Sequence, residues 1–311
     1  MNTNFLNNIL SKYTEKRNLA LLKTNSEKEK VFQIEEYAAL DKQERLLIMQ
    51  IGKCKFEEKN CSMLENQLKM VQNEKLEVLK KHSINPSSLL PKFECEKCED
   101  TGFVNGETCS CLKQEYNNHI MKQSNINIEE IPYLDEYCLN CFEEEEKPNV
   151  SLIVENLKKF VSNLKTAKTK NIVLTGGTGV GKTYLAKSLA KEVLKYNHTV
   201  LFLSSFVLNN NFLKIHTNSE INKHLLLENL IDVDLLIIDD LGTEPMLKNV
   251  TKEYLLLLIN ERLNKNKSTL ITTNLLPNNI LDKYGERIYS RLNNKANCAL
   301  FNLKGKDLRI L

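Results

Sequence analysis

Three consecutive stretches of sequence predict the fold: Asn171-Ile-Val-Leu-Thr175, Gly176-Gly-Thr-Gly-Val-Gly-Lys-Thr183 and Tyr184-Leu-Ala-Lys-Ser-Leu-Ala190. A short apolar strand enters Gly-x-x-x-x-Gly-Lys-Thr and a helical string leaves it, which is the order that a phosphate-binding P-loop needs. The glycines let backbone N–H groups surround an anion, and the positive end of the helix dipole faces the same point. The predicted nucleotide-binding residues are Gly176, Gly177, Thr178, Gly179, Val180, Gly181, Lys182 and Thr183.

Two side chains of this loop carry specific expectations. Lys182 is placed to reach the β- and γ-phosphates of a nucleotide, and the Thr183 hydroxyl is a hard oxygen ligand for Mg²⁺. A glycine-rich loop that binds no nucleotide is the alternative, but the motif and its context agree. The sequence therefore predicts ATP and Mg²⁺ as cofactors.

The run Leu235-Leu-Ile-Ile-Asp239-Asp240 predicts a buried strand with two carboxylates at its carboxyl end. Open α/β sheets bind ligands at that end, so we expect Asp239 to hold Mg²⁺ and Asp240 to polarise the attacking water. An Asp-Asp pair that merely caps a turn is the alternative. If Asp240 is not the base, Glu244 is the next candidate.

Three more polar residues are candidates for a functional role. Asn274 ends the apolar run Leu270-Ile-Thr-Thr-Asn274 and is expected to contact the γ-phosphate or the water, although it could also open a turn. Arg287 and Arg291 are spaced i, i+4 and share one helical face. A structural interpretation would pair them with carboxylates such as Glu286.

Five β-rich strings alternate with helical segments in the second half of the chain. This alternation predicts an α/β fold, a parallel sheet with helices on both faces, and an ATPase domain over residues 131–311. The predicted strands are residues 171–175, 199–203, 235–239, 268–273 and 298–301.

The first 85 residues predict a helical N-terminal region. Apolar residues recur there at steps of three and four, without proline up to residue 82. Lys75 and Glu57 interrupt a heptad seam, so a helical hairpin or small bundle is favoured over one long coiled coil. The connector Ser83-Ile-Asn-Pro-Ser-Ser-Leu-Leu-Pro91 breaks a helix and marks a boundary.

A cysteine cluster follows, in a predicted module over residues 92–120. Cys95, Cys98, Cys109 and Cys111 have the spacing Cys-x₂-Cys-x₁₀-Cys-x-Cys, which predicts one closed, structural Zn²⁺ site. An iron–sulfur cluster, free thiols, and His119 in place of one ligand are the alternatives. Cys138-Leu-Asn-Cys141 has no second pair to join, and a half-buried helix or strand start is expected there.

Length, composition and net charge limit the kinds of protein that this chain can be. The 311 residues suggest about two domains at ~150 residues each, and 41% hydrophobic residues can bury a core. No apolar run approaches the ~18 residues of a membrane span, so a soluble, cytoplasmic protein is expected. The net charge of +3 is too small to argue for nucleic-acid binding. Nine clustered cysteines favour metal ligation in a reducing compartment over a disulfide framework.

The order of motifs over residues 131–311 resembles an AAA+ ATPase of the DnaC/DnaI/IstB group. The resemblance lies in the P-loop, Asp239-Asp240-Leu-Gly242, Thr272-Thr-Asn274 and Gly285-Glu-Arg287-x-x-x-Arg291-Leu. It implies that Arg291 is a finger inserted into a neighbour's ATP site, with Arg287 as its companion, so that catalysis requires self-assembly through the ATP site. It also makes Arg309 the counterpart of a second sensor arginine.

The cysteine cluster with Asp100-Thr-Gly102-Phe resembles the N-terminal region of DnaI-type helicase loaders. This resemblance implies a zinc-holding domain that binds the replicative ring helicase. The expected function is ATP-dependent loading of that helicase onto single-stranded DNA, with no membrane partner. A transposition helper of the IstB type shares the ATPase module but typically lacks the cluster, and a non-enzymatic adaptor is the third hypothesis. DNA contact is expected along residues 206–223, with Phe206, Phe212, Lys214 and Lys223, although both phenylalanines could equally lie in the core.

Overall fold

The computed structural model describes residues 3–124, 127, 129–217 and 223–310. The chain divides into two compact units, one of Leu10–Cys109 and one of Met1–Ile9 with Ser110–Leu311. The finer division into regions 1–85, 92–120 and 131–311 stays a proposal about domain organisation.

Three helices dominate the first part of the chain: α1 (Thr3–Phe32), α2 (Glu35–Phe56) and α3 (Ser62–Lys81). Helices α2 and α3 pack against each other as an antiparallel hairpin, which confirms the predicted hairpin and excludes one continuous helix over residues 41–82. The turn between them passes through Glu58, whose φ of 52° lies in the left-handed region that ends helices. The hairpin core contains Val31, Tyr37, Val78 and Leu79.

A charged triad joins the two helices of the hairpin. Lys75 lies 2.7 Å from Asp41 and 2.5 Å from Glu44, and its ammonium is 4.8 Å from the ring centroid of Tyr37. Burial acts to lower the pKa of Lys75, but the hydrogen bonds to the two carboxylates outweigh it and raise the pKa. Lys75 is therefore a charged, partly buried tie between α2 and α3, and this explains why it interrupts the apolar seam.

A disulfide between Cys54 and Cys61 spans the turn of the hairpin. The nine cysteines thus include one disulfide beside the predicted metal-ligating cluster, rather than a disulfide framework. The 3₁₀ turn Pro86–Leu89 then leads to a small antiparallel ribbon of β1 (Phe103–Val104) and β2 (Glu107–Thr108).

The second unit is an α/β structure. Its helices in chain order are α4 (Ser110–Gln123), α5 (Lys147–Ser162), α6 (Lys182–Lys195), α7 (Ser205–Thr217), α8 (Lys223–Asp232), α9 (Thr251–Asn264), α10 (Pro277–Tyr284) and α11 (Glu286–Leu292). Its strands are β3 (Asn171–Gly176), β4 (Val200–Ser204), β5 (Leu235–Leu241), β6 (Ser268–Thr273) and β7 (Cys298–Leu303).

The five strands form one parallel sheet in the order β4-β5-β6-β3-β7. Each of the five predicted strands is present, within two residues of its predicted ends. Because all strands run the same way, the carboxyl ends of β3, β5 and β6 meet at one edge. The P-loop, the paired aspartates and Asn274 are thus brought together by topology.

Helices cover both faces of this sheet. Ile172 and Leu174 of β3 belong to one core cluster with Leu157 of α5 and Leu185 of α6. The residue between them, Val173, is equally buried but lies outside that cluster. Successive strand residues point to opposite faces, so both faces are packed, which confirms the predicted layered α/β fold.

The buried guanidinium of Arg262 stabilises the turn that leads from α8 into β5. Arg262 of α9 is fully buried and donates hydrogen bonds to the backbone oxygens of Leu230, Ile231 and Val233 at 2.6 to 3.1 Å. Burial lowers the pKa of Arg262 to about 9, against the opposing effect of Asp234. The guanidinium thereby satisfies carbonyl groups that the end of α8 leaves without helical partners.

Among the described residues, no helix combines the length and apolar character needed to cross a membrane.

Candidate nucleotide-binding site

The P-loop backbone requires glycine at several of its positions. Gly179 and Gly181 have φ of 77° and 93°, and Gly181 is the residue that immediately precedes α6. A Cβ at Gly176 would collide with the backbone oxygen of Leu303 in β7. The loop therefore takes a conformation and a close packing that other residues would strain.

Lys182 is anchored at the centre of the site. Its side chain is buried, and Nζ donates to the backbone oxygens of Gly176 at 2.9 Å and Gly177 at 2.5 Å and to Oδ1 of Asn274 at 2.5 Å. Burial lowers the pKa of Lys182, while the carboxylates of Asp240 and Asp239 oppose that shift. The cation is thus held in place, and no described carboxylate forms a direct ion pair with it.

Thr183 and Asp239 bring hard oxygen atoms together. The Thr183 hydroxyl donates to the two carboxylate oxygens of Asp239 at 3.0 and 3.1 Å, and Thr272 Oγ1 donates to Asp239 Oδ1 at 2.6 Å. Hydroxyl and carboxylate oxygens in this proximity are the donors that Mg²⁺ prefers, so the residues fit the predicted cation.

Asp240 occupies an unusual backbone conformation. Its φ of 58° lies in the left-handed region, which costs free energy for a residue with a Cβ. Its N–H donates to Thr272 Oγ1 at 2.8 Å, and its carbonyl oxygen accepts from Ser205 and Thr243 at 2.9 Å each. Asn274 Nδ2 lies 3.4 Å from Asp240 Oδ1. These contacts hold the Asp240 carboxylate at the edge of the sheet.

Glu244, the second candidate base, is already engaged. It is buried, accepts from the Gly242 N–H at 2.9 Å through Oε2, and accepts from the Tyr284 hydroxyl through Oε1. Burial and Glu244 together raise the pKa of the Tyr284 hydroxyl. Both carboxylate oxygens therefore support the turn after β5, which argues against Glu244 as the base.

The P-loop, the carboxyl end of β5 and Asn274 face one cavity of about 600 Å³. Lys182, Thr183, Asp239, Asp240 and Asn274 form its polar side. Several other residues that line the cavity were not predicted from the sequence. Tyr184 could have been found because it directly follows the P-loop, but no sequence motif marks the rest. The unpredicted lining residues include Tyr137, Phe142, Tyr184, Lys187 and Leu308.

Cys138 and Cys141 also line this cavity. Cys138 directly precedes the 3₁₀ turn Leu139–Cys141, Cys141 is the last residue of that turn, and both are exposed. The prediction of a half-buried helix or strand start is therefore wrong. A buried aromatic residue on each side holds the turn, while its two thiols remain at the surface.

The C-terminal segment folds onto the P-loop. The Leu308 N–H donates to the Gly179 oxygen at 3.1 Å, and Arg309 lines the cavity. The guanidinium forms two hydrogen bonds to Asp307, at 3.0 and 2.9 Å. Arg309, for which the resemblance implies the role of a sensor arginine, thus lies at the cavity wall, and that role stays a prediction.

Arg287 and Arg291 lie on α11 and are not among the lining residues of the cavity. Arg291 Nε donates to Oδ1 of Asn260, and Nη1 donates to the Arg287 oxygen at 3.1 Å. Arg287 is exposed. Within the described part of the chain, neither guanidinium forms the ion pair with Glu286 that the structural interpretation expects.

The four predicted zinc ligands converge. The sulfur atoms of Cys95, Cys98, Cys109 and Cys111 all lie within 4.8 Å of one another, and this group does not include His119. Tetrahedral Zn–S bonds of about 2.3 Å place sulfurs roughly 3.8 Å apart, and Cys95 and Cys109 are 3.9 Å apart. Buried Asp100 accepts from the backbone N–H of Cys95 at 2.8 Å and fixes the first knuckle. The donor set fits Zn²⁺.

The segment proposed to contact DNA divides between core and surface. Phe212 is buried and packs on Tyr254, whereas Phe206 is exposed. Lys214 lies on the last turn of α7. Residues 218–222 and the side chain of Lys223 lie outside the described residues.

A family profile described as "IstB-like ATP binding protein" matches residues 130–287, about half of the chain. The chain belongs to the family of IstB-like ATP-binding proteins. The predicted AAA+ fold and the ATP-binding class are confirmed by this membership. The family match begins after the cysteine cluster, so it does not cover the N-terminal unit.

Individual relatives of this IstB-like chain come from two biological settings. The replicative helicase loader DnaC of Escherichia coli K12 is 27% identical over 126 residues, which are 39% of this chain and 49% of that protein. The ATP-binding protein assigned to insertion sequence IS21 of Pseudomonas aeruginosa is 26% identical over 168 residues, 53% of this chain and 60% of that protein.

A crystal structure of the DnaC helicase loader superposes with a TM-score of 0.47 at 25% identity, covering 55% of this chain and 96% of that one. The matched part of the IstB-like chain spans about half the length of the E. coli DnaC protein.

Proposed function

We propose that this protein is an ATPase that loads a replicative ring helicase onto single-stranded DNA. The observation that carries the ATPase part is the convergence of Lys182, Thr183, Asp239, Asp240 and Asn274 on one cavity behind a P-loop. These groups come from the start of α6, from β5 and from the residue after β6, so only the folded sheet assembles them.

In this proposal the P-loop N–H groups and Lys182 bind the phosphates of ATP. Thr183 and Asp239 hold Mg²⁺, which neutralises charge on the phosphate oxygens. Asn274 accepts a hydrogen bond from Lys182 and lies beside Asp240, so it orients both groups toward the γ-phosphate. Asp240 acts as the base that takes a proton from the attacking water.

Arg291 is proposed to act on the ATP of a neighbouring subunit, with Arg287 as its companion. Three observations support a role in trans: neither arginine lines the cavity of its own chain, neither is in an ion pair with a described carboxylate, and the Arg287 side chain is exposed. A finger arginine accelerates phosphoryl transfer by about 10³ to 10⁵, so hydrolysis would depend on assembly.

The helicase-binding part of the proposal concerns the N-terminal unit. It has a helical hairpin and three of the four cysteines suited to Zn²⁺, and the resemblance of the cysteine cluster to the N-terminal region of DnaI-type loaders supports helicase binding. The similarity of the ATPase module to E. coli DnaC also supports it. A small zinc module would hold its two knuckles rigid against a partner.

A transposition helper is the second candidate. It is favoured by relatives from insertion sequences, among them the ATP-binding protein assigned to IS1162 of Pseudomonas fluorescens, 32% identical over 105 residues. In that case the partner would be a transposase and the DNA double-stranded. The cysteine cluster is the feature that speaks against it.

The decisive experiment uses the full chain with closed single-stranded DNA circles. A ring helicase cannot thread onto a circle, so we expect unwinding of an annealed strand only when helicase, this protein and ATP are all present. The Lys182→Ala variant is the matched control and should not support loading. Loading that proceeds equally without this protein, or stimulation of a transposase instead, would contradict the loader proposal.

A further inference from the structure

The wall of the nucleotide cavity contains two exposed thiols that the proposed catalytic cycle does not use. Cys138 precedes the 3₁₀ turn Leu139–Cys141 and Cys141 ends it, and their sulfur atoms are 2.7 Å apart. A disulfide has an S–S bond of about 2.05 Å, so closing it requires a relative movement of only about 0.7 Å. The pair is therefore arranged for bond formation.

The two thiols also differ in reactivity. The Cys141 thiol donates a hydrogen bond to Cys138, which lowers the pKa of Cys138 and raises that of Cys141. The thiolate is the reactive form, so Cys138 is the nucleophile and Cys141 the resolving thiol. Cys298 provides a contrast, because it is buried and burial raises its pKa to about 12.

The residues next to the pair are cavity residues. Tyr137 precedes Cys138, Phe142 follows Cys141, and the two rings stack with centroids 6.3 Å apart. Tyr137 also contacts Tyr184 of α6 at 5.8 Å between ring centroids. Both rings line the nucleotide cavity, so the turn that carries the thiols also carries this part of its wall.

The aromatic part of the cavity wall packs closely against the P-loop. A Cβ added at Gly181 would lie 3.1 Å from the Tyr137 hydroxyl, so there is little free space between this ring and the start of α6. A shift of the 138–141 turn would therefore move an aromatic ring against the backbone that binds phosphate, because close-packed interiors transmit small displacements.

We propose that Cys138 and Cys141 are a thiol–disulfide modification site that reacts with low-molecular-weight disulfides such as glutathione disulfide, and that the oxidised form binds ATP more weakly. This inference rests on the assignment of the cavity to ATP. The Cys138 thiolate attacks the disulfide and releases one thiolate of the reagent. Cys141 loses its proton and displaces the second reagent thiolate, so the two protein thiols lose two electrons and two protons while one disulfide becomes two thiols.

The test measures ATP affinity of the full chain by calorimetry with a non-hydrolysable ATP analogue. The protein is compared in dithiothreitol and after exposure to glutathione disulfide, and peptide mass spectrometry maps the disulfides formed. We expect a Cys138–Cys141 disulfide, an affinity lowered by about fivefold or more, and full recovery on reduction. The zinc content is measured in parallel to verify that the cluster of Cys95 is intact.

Two double variants separate this pair from other thiols. The Cys54→Ser/Cys61→Ser protein lacks the hairpin disulfide and should keep the full response to oxidation. The Cys138→Ser/Cys141→Ser protein should bind ATP with the same affinity in both conditions, whatever that affinity is.

Three results would overturn the inference: no Cys138–Cys141 disulfide in glutathione disulfide, a mapped disulfide with unchanged affinity, or an undiminished response in the Cys138→Ser/Cys141→Ser protein. A reduced protein that fails to bind the ATP analogue would instead refute the nucleotide site itself, and the inference with it.

Discussion

The unit Leu10–Cys109 and the α/β unit bury their side chains in different ways. The α2–α3 hairpin has a small core and leaves large apolar residues such as Met49, Phe56 and Met63 exposed, Phe56 at 90%. In the α/β unit, β3, β5 and β6 are almost completely buried between helices. The first unit therefore depends on cross-links and ion pairs, and the second on a continuous core.

This difference predicts that the two units respond to different perturbations. Substitutions at the sheet edge should abolish nucleotide chemistry without unfolding the core, because the polar side chains lie at its rim. Changes at the hairpin disulfide, at the clustered cysteines or at the charged triad should alter the stability of the N-terminal unit and leave ATP binding intact.

The broadest loss is expected for Lys182→Ala, because without ATP binding every ATP-dependent activity is lost as well. The substitution removes the cation facing the phosphates, and two charge-assisted hydrogen bonds should cost roughly a hundredfold or more in ATP affinity. Titration calorimetry measures the affinity, and circular dichroism verifies that the fold is retained. Lys195→Ala, at the exposed end of the same helix, is the control and should bind ATP normally. An affinity near wild type in Lys182→Ala would refute the P-loop assignment.

Arg291→Ala should reduce assembly-dependent hydrolysis by about 10³ or more while sparing ATP binding. The reason is that a finger arginine stabilises charge on a neighbour's nucleotide. In a mixture, Arg291→Ala subunits supply intact P-loops and Lys182→Ala subunits supply intact fingers, so part of the ATPase activity should return. If co-assembled mixtures recover nothing, Arg291 has a structural role on α11.

Asp240→Asn should bind Mg-ATP, because Thr183 and Asp239 remain, while hydrolysis falls by about 10² to 10⁴. Single-turnover assays measure the chemical step. Glu244→Gln is the matched carboxylate variant, and it should act mainly on thermal stability through its contact with Tyr284. The opposite pattern would move the base assignment to Glu244.

Cys98→Ser should abolish binding of the one Zn²⁺ expected per chain and lower the stability of the N-terminal unit. Metal analysis and thermal unfolding report on that unit, and ATP affinity should stay within about twofold, because the nucleotide cavity has no side chain from the cluster. Cys54→Ser is the control that keeps the metal. If the wild-type protein contained iron and showed a visible absorption band, the four cysteines would hold an iron–sulfur cluster instead of Zn²⁺.

The smallest effect is expected at the charged triad. Lys75→Ala removes the partner of two partly buried carboxylates and should lower the free energy of unfolding by about 1 to 2 kcal/mol. Lys80→Ala breaks only the exposed pair with Glu77 and should cost about 0.5 kcal/mol or less. Urea unfolding compares the two variants. Equal losses would mean that Lys75 contributes no more than a surface charge.

The P-loop, the five strands, the paired aspartates and the spacing of the four clustered cysteines could all be predicted from the sequence. Each of these is a local pattern, readable because a strand has period two, a loop needs glycine at fixed positions, and metal knuckles pair nearby cysteines. The family match over residues 130–287 agrees with the part of the chain where such patterns are dense.

Contacts between residues far apart in the chain could not be predicted and become visible in the folded protein. Asn274 lies 92 positions from Lys182 yet accepts its hydrogen bond, and Cys138 and Cys141 reach the nucleotide cavity although their Cys-x-x-Cys spacing does not predict that location. Arg262 reads as an ordinary helix residue, but it is fully buried against backbone carbonyls. These contacts depend on strand order and on the packing of helices over the sheet, and neither is encoded in the spacing of neighbouring residues.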